Sequence, residues 1–562
     1  MRRLGVAVLA CLCGATIGGP TAPNDLVARG SKAAVVTAEP HASQIGLRVL
    51  EQGGNAVDAA VAVALALAVT HPQAGNLGGG GFMLVRMVDG RTAAIDFRER
   101  AAKAASADMY LRADGSVDQD KVQFGASAAG VPGSPAGLLY ALQKFGTQNL
   151  KAVANPAIRL AREGFPVDQF LARDLAEASR ELGRFESTRK VFWKGEAPLQ
   201  QGDLLVQEDL AATLARFAER GLDGFYGGRT AELIVQQMQR DGGTVTAADL
   251  ADYSVRERQP LQANYRGHEV LSMPPPSSGG IALLQMLAML DGYDLSAMGF
   301  GGSDSIHLLT EVMRRAYADR SRWLGDPDHY AVPVDGLIGK DYAARLRASI
   351  DLAKKTAVAP GLPPGAKESD DTTHFSIVDA AGNAVACTTT INSTFGAAVV
   401  VEGAGFLLNN EMDDFSAKPG VPNQFGLVGG KANAIAPGKR MLSSMTPTIV
   451  SRDGKLELVL GAPGGGRIIT AVLQVLCNVV DHRMGLEQAV RAPRIHHQWL
   501  PDEIVWEPLA LPRDVRDALA SRGHGFAARP RGIGQVFAIE VLADGTRVGV
   551  CDHRSGGSAA AY

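Results

Sequence analysis

Cysteine, charge imbalance and long hydrophobic runs are all scarce in this 562-residue chain, and each scarcity excludes something. Lys and Arg number 56 against 59 Asp and Glu, a formal net charge of -3. So even a balance gives neither a nucleic acid nor an anionic membrane a surface to hold, and a small-molecule partner is expected. Five cysteines are present, but Cys11 and Cys13 lie in an N-terminal leader and only the widely spaced Cys387, Cys477 and Cys551 remain beyond it. Three such cysteines make no disulfide framework, and a chain of this length buries a core without staples. Met1-Arg2-Arg3 followed by the apolar run Leu4 to Gly19 has the charged front and short core of a secretory signal peptide, taken as residues 1–22. The run falls short of the roughly 20 residues that span a bilayer, and Val8-Leu9-Ala10-Cys11 resembles a lipoprotein site only faintly. Export to the periplasm or outside ranks above lipidation, with no membrane span expected in the mature protein. No Ser/Gly linker divides the mature chain, His496 and His497 are adjacent and so poorly disposed for a metal, and no metal or cofactor is expected.

What is present centres on Asp370-Asp371-Thr372-Thr373-His374-Phe375-Ser376. Lys354 to Asp371 carries Pro360, Pro363 and Pro364 and fits no helical or strand period, whereas Thr373 to Asp379 alternates, Ala381-Gly382-Asn383 turns, and Ala384 to Ile391 is β-branched and apolar. A hairpin thus begins where a loop stops. Cutting between Asp371 and Thr372 would give Thr372 both a hydroxyl and a free α-amine. With a reference pKa of roughly 7.7 to 8.0, that amine is a base for the hydroxyl beside it. The same hydroxyl, attacking the Asp371 carbonyl, could make the cut by an N-to-O acyl shift and hydrolysis. Two threonines at a strand start are also ordinary β-formers, so the rest of the chain must decide.

Ala42 to Gln52 and Ala56 to Thr70 read as helices joined by Gly53-Gly54-Asn55, the second apolar nearly all round and hence buried. Gly75-Asn76-Leu77-Gly78-Gly79-Gly80-Gly81 precedes a strand, Phe82 to Val88; without the strand-glycine-helix order of a nucleotide loop, tight packing is expected there. A strand Thr92 to Phe97 leads into Arg98-Glu99-Arg100, where Arg98 is either a solvated charge or a fork for a carboxylate. Phe145 to Ile350 reads as mainly helical bulk without assigned chemistry. Polar groups crowd together after Thr372: Thr388-Thr389-Thr390-Ile391-Asn392, then Asn409 to Phe415 behind an apolar strand, Ser443-Ser444-Met445, and Gly461 to Arg467.

With GGNAVDAAVAV, GNLGGGGFML, DFRER, TTHFS, NNEMDDFSAKPGVPN, LSSM, PGGGRIIT and RIHHQWLPDE in order from about Ala34 to Tyr562, the chain resembles the bacterial γ-glutamyltransferases, N-terminal-nucleophile hydrolases. The resemblance implies an α+β fold, a four-layer αββα sandwich of two stacked sheets. One precursor would yield a large subunit, 23–371, and a small one, 372–562, that pair with each other. Thr372 would be the nucleophile and Thr390 its orienting hydroxyl. Arg98, Ser443 and Ser444 would hold the donor's α-carboxylate, and Asn392, Glu411 and Asp414 its α-ammonium. The N–H groups of Gly464 and Gly465 would form the oxyanion hole. The implied reaction moves the γ-glutamyl group of glutathione or a related amide to water or to an amino acid or peptide.

Position 411 is Glu where some bacterial members have Gln, and Phe425 stands where some have Tyr in a covering loop. Pro419 to Gly430 is accordingly expected to be a lid with Phe425 as its contact, closing by ring packing rather than by a hydroxyl latch. Two rivals remain: an acylase of the same fold that prefers glutaryl amides such as a glutaryl-cephalosporin, which has no need of Asp414, and a silent exported binding protein.

Overall fold

The hairpin after Thr372 forms as its pattern predicts: Thr373–Val378 pairs antiparallel with Ala384–Thr390, from Thr373 opposite Thr389 to Val378 opposite Ala384. The computed structural model describes residues 25–358, 372–418 and 420–562. The leader over 1–22, Cys11, Asp371 and Pro419, which open or bracket segments discussed above, lie outside the described residues.

This hairpin is the centre of a seven-stranded sheet that runs Ser558–Ala561, Ala34–Thr37, Thr373–Val378, Ala384–Thr390, Gly80–Arg86, Thr92–Asp96, Arg256–Arg258. A second seven-stranded sheet runs Val27–Gly30, Arg547–Cys551, Phe537–Val541, Lys455–Gly461, Thr448–Arg452, His268–Ser272, Leu261–Tyr265. Every strand pairing in both, among the described residues, is antiparallel. The first sheet turns Phe375, Ile377, Val385 and Cys387 to a core shared with the helix Ala56–Thr70. Its opposite face contributes Val36, Phe82, Leu84 and Ala386 to a core shared with Val459, Leu460 and Ile539 of the second sheet and with the helices Gly279–Leu290 and Arg467–Val480. Helices, two sheets and helices are thus stacked as the αββα sandwich.

Alternation survives in the strand Thr373–Val378, but every residue of it is buried, because a sheet covered on both faces has no solvent side. The polar positions His374 and Ser376 face the second sheet, where Ser376 donates to the Phe537 carbonyl at 3.0 Å. Burial pushes the His374 pKa down to about 3, so the imidazole is neutral. Thr372 and Thr390 continue this inward-facing set at the hairpin's open end.

The helix Ala56–Thr70 is buried along its whole length, and Asn55 and Asp58 close a reciprocal capping box at its start. The glycine run before Gly80–Arg86 serves close packing: a Cβ on Gly79 would sit 2.1 Å from the Thr390 carbonyl oxygen. Two sequence readings need correction. Phe145 to Ile350 is largely helical but also supplies Arg256–Arg258, Leu261–Tyr265 and His268–Ser272 to the sheets. The apolar stretch before Asn409 is buried but irregular, with one isolated bridge, Val400 to Leu407, because left-handed φ at Ala398, Gly403 and Gly405 turns the chain repeatedly.

Candidate active site

One small cavity gathers Arg98, Thr372, Thr390, Asn392, Glu411, Asp414, Phe425, Ser443, Ser444 and Gly465. Ten of the twelve positions singled out from the sequence therefore meet in space; Gly464 adjoins Gly465, and Asp371 lies outside the described residues. Larger surface depressions exist, one of about 910 Å³ beside Arg266 and Glu457. None of its lining residues is a nucleophile beside an oxyanion turn.

Each segment arrives by a different route. The hairpin register, extended by one residue, sets Thr390 across from Thr372. Thr390 Oγ1 accepts the Asn392 N–H at 2.8 Å, and Asn392 holds a left-handed φ of 78° at the end of the strand while donating its Nδ2 to the Asn410 carbonyl at 3.0 Å. Such a conformation is costly for a residue with a Cβ and persists where surrounding bonds impose it. From the second sheet, Lys455–Gly461 ends in a turn where Gly464 and Gly465 take φ of 133° and 53°. Glycine alone adopts both without strain. Their carbonyls accept from Arg467 and Ile468 at the start of the next helix, while their own N–H groups reach no acceptor among the described residues.

Arg98 is fully buried, which excludes a solvated charge. Its Nη1 donates to Glu411 and its Nη2 to Asp414, while Nε and Nη2 also reach the Met441 and Leu442 carbonyls at 3.3 Å. The cation and the anions expected at opposite ends of an amino-acid head group are thus already paired. Glu99, not foreseen as a site residue, brings Oε2 to 3.6 Å from Arg98 Nη1. Three buried carboxylates surround one guanidinium, and desolvation outweighs its attraction: the Glu99 pKa is pushed up to about 7, and those of Glu411 and Asp414 rise as well. Neither Glu99 oxygen nor Glu411 Oε2 receives a hydrogen bond among the described residues. Such an acid-rich cluster with spare acceptors matches a ligand that carries an ammonium as well as a carboxylate.

Ser443 Oγ accepts the Met445 N–H at 3.1 Å, and Ser444 Oγ accepts Nη2 of Arg320 at 3.1 Å. Arg320 is a second residue missed in the sequence, where it is one charge on a long amphipathic helix. Above the cavity, residues 420–430 are held by polar bonds: Asn423 Nδ2 donates to Asp414 Oδ1 at 3.2 Å, Gln424 N to Asp413 Oδ2 at 3.1 Å, and Gln498 Nε2 to the Phe425 carbonyl at 3.3 Å. The Phe425 ring is 5% exposed. Ring packing alone was expected to hold this loop; its main chain and Asn423 share the task.

Comparison with known proteins agrees with this geometry. A Glutathione hydrolase proenzyme of Escherichia coli (strain K12) is 48% identical over 570 residues, covering 99% of this chain and 98% of that protein. An Acylase ACY 1 proenzyme of Pseudomonas sp. (strain SE83) is 40% identical over 538 residues, 94% of each chain. Among solved structures, a cephalosporin acylase from Bacillus halodurans superposes with a TM-score of 0.85 at 27% identity, covering 98% of this chain and 99% of that one. With the Gamma-glutamyltranspeptidase family model matching residues 42–562, the chain belongs to the γ-glutamyltranspeptidase family.

Proposed function

We propose that this enzyme is an exported γ-glutamyltransferase and glutathione hydrolase that matures by cutting itself between Asp371 and Thr372. The carrying observation is the single cavity in which a threonine hydroxyl at a strand start, a glycine turn and a buried Arg–acid cluster come together. Thr372 Oγ attacks the γ-carbonyl of the donor, and its own α-amine takes the hydroxyl proton and passes it to the leaving amine. The N–H groups of Gly464 and Gly465 stabilise the tetrahedral oxygen, and Thr390 orients the nucleophile. Water or an acceptor amine then cleaves the γ-glutamyl ester and restores Thr372. In the precursor the same hydroxyl attacks the Asp371 carbonyl, giving an ester that water opens into large and small subunits.

The donor's head group supplies the selectivity. Its α-carboxylate faces Arg98, Ser443 and Ser444, and its α-ammonium faces Asn392, Glu411 and Asp414. The cavity measures about 20 Å³, and the loop 420–430 above it is read as a lid that lifts for the donor and closes again. No helix among the described residues is long and apolar enough to cross a membrane.

The similarity to acylases gives the second reading its basis. A glutaryl group lacks the ammonium and would leave two buried acids facing a methylene, which disfavours it. A denaturing gel of the purified protein beside a γ-glutamyl anilide assay tests the proposal. Two fragments, the smaller beginning at Thr372, and anilide cleavage are expected, with Thr372→Ala whole and inactive. A different first residue, or normal splitting of Thr372→Ala, would remove Thr372 from the role.

A further inference from the structure

We propose that Arg320, acting through the Ser444 hydroxyl, is a positioning residue for the donor's α-carboxylate; the inference rests on the cavity being a γ-glutamyl site. Arg320 lies in the helix Ser303–Trp323, outside the segments that build the cavity, and is 5% exposed. Its Nε donates to Ser278 Oγ at 2.9 Å and its Nη2 to Ser444 Oγ at 3.1 Å. Ser278 is fixed in turn, with both its N–H and its Oγ donating to the Ser443 carbonyl, at 2.7 and 2.6 Å. The guanidinium is therefore braced against the serine pair from behind.

Two features separate this arginine from an ordinary buried charge. First, among the described residues no carboxylate lies within ion-pair distance of it, whereas Arg98 is already engaged by Glu411 and Asp414. Asp414, already bonded to Arg98, acts on Arg320 only from beyond contact distance, and an anion placed nearer relieves the cost of burying the cation. Arginine stays protonated even though burial lowers its pKa. Second, the direction of the hydrogen bond matters. Because a guanidinium only donates, Ser444 Oγ must accept from it, which leaves the Ser444 O–H to donate elsewhere. Ser443 Oγ likewise accepts from the Met445 N–H. Both serines line the cavity as hydroxyls primed to donate, the arrangement a carboxylate needs. Arg320 thus adds charge one bond behind Ser444 and sets the sense of that hydroxyl. The same helix places Tyr317 OH on the Gly466 carbonyl, so it braces the glycine turn as well.

The test compares three anilides on the mature enzyme: γ-glutamyl, glutaryl, which keeps the carboxylate and lacks the ammonium, and 4-aminobutanoyl, which keeps the ammonium and lacks the carboxylate. Arg320→Gln should raise KM about tenfold or more for the first two, the scale of a lost charge-assisted bond, with kcat changed less and 4-aminobutanoyl turnover unchanged. Arg320→Lys should recover part of the loss, and adding Ser444→Ala to Arg320→Gln should cost little more than either alone. Equal losses on all three anilides in a variant that still matures and keeps its melting temperature would overturn the role. If Arg320→Gln does not mature, the Lys variant decides by the same three-way comparison. Failure of the unaltered enzyme to cleave γ-glutamyl anilide would sink the functional reading itself, a result distinct from a flat Arg320 pattern.

Discussion

Asp414 serves three partners at once: one oxygen receives Arg98, the other receives Asn423 of the covering loop, and in the proposed reaction it also meets the donor's ammonium. Removing one member of a buried charged pair costs about 3–5 kcal/mol, so Asp414→Ala should lower kcat/KM for a γ-glutamyl anilide by two to three decades or more. A glutaryl anilide should suffer less; equal losses would take Asp414 out of ammonium recognition. Its neighbour Asp413 makes a pH-dependent prediction. Burial, with a smaller push from Asp414, moves its pKa up to about 7. Between the usual carboxyl range and pH 7 the folded chain therefore binds a proton that the unfolded chain does not, and stability falls as pH rises through that window. Asp413→Asn keeps an acceptor for the Gln424 N–H and removes the ionisation. Its melting temperature relative to the parent should rise at pH 8 and be unchanged near pH 4; a difference that does not grow with pH would argue against an ionising Asp413.

At the scale of elements, the loop 420–430 depends on few bonds, and one of them belongs to a short polar relay. Gln498 donates to the Phe425 carbonyl, and its own Oε1 accepts Nε2 of His496, which burial keeps neutral by pushing its pKa down to about 3. A net hydrogen bond contributes roughly 0.5–1.5 kcal/mol, so Gln498→Ala should shift the loop toward open by up to about tenfold. The expected signs are a raised KM, faster proteolysis within 420–430, and protection of that loop by a bound glutamate analogue in the parent. Phe425→Ala should show the same signs more strongly, because the ring itself lines the cavity. Unchanged proteolysis with and without ligand would mean that the loop is a fixed wall.

At the scale of the whole molecule, the proposed cut falls beside the middle of a sheet. The strand Thr373–Val378 lies between Ala34–Thr37 and Ala384–Thr390, and Gly80–Arg86 follows beyond. The two subunits would therefore share both sheets and both cores, and a single cut removes no strand pairing. The matured protein should elute as one species in native size-exclusion chromatography and separate into two bands only under denaturing conditions. Dissociation in native buffer would contradict this interlocked arrangement.

Local physics was legible in the sequence. The hairpin, the capped apolar helix Ala56–Thr70 and the glycine run are set by neighbouring residues, and each formed within a residue or two of its expected bounds. The irregular stretch before Asn409 and the three strands that the mainly helical region lends to the two large sheets escaped, because a short strand is defined by the partner it finds, as when Leu261–Tyr265 pairs with His268–Ser272. The site residues were nameable from motif resemblance, yet their pairing was not. That Arg98 is buried against Glu411 and Asp414, and that Arg320 reaches a serine 124 positions away, depends on the stacking of two sheets and a helix layer. The chain by itself determined which groups were available and which short segments would order. Only tertiary packing decided which charges lost their water, and desolvation gives those charges their altered pKa values.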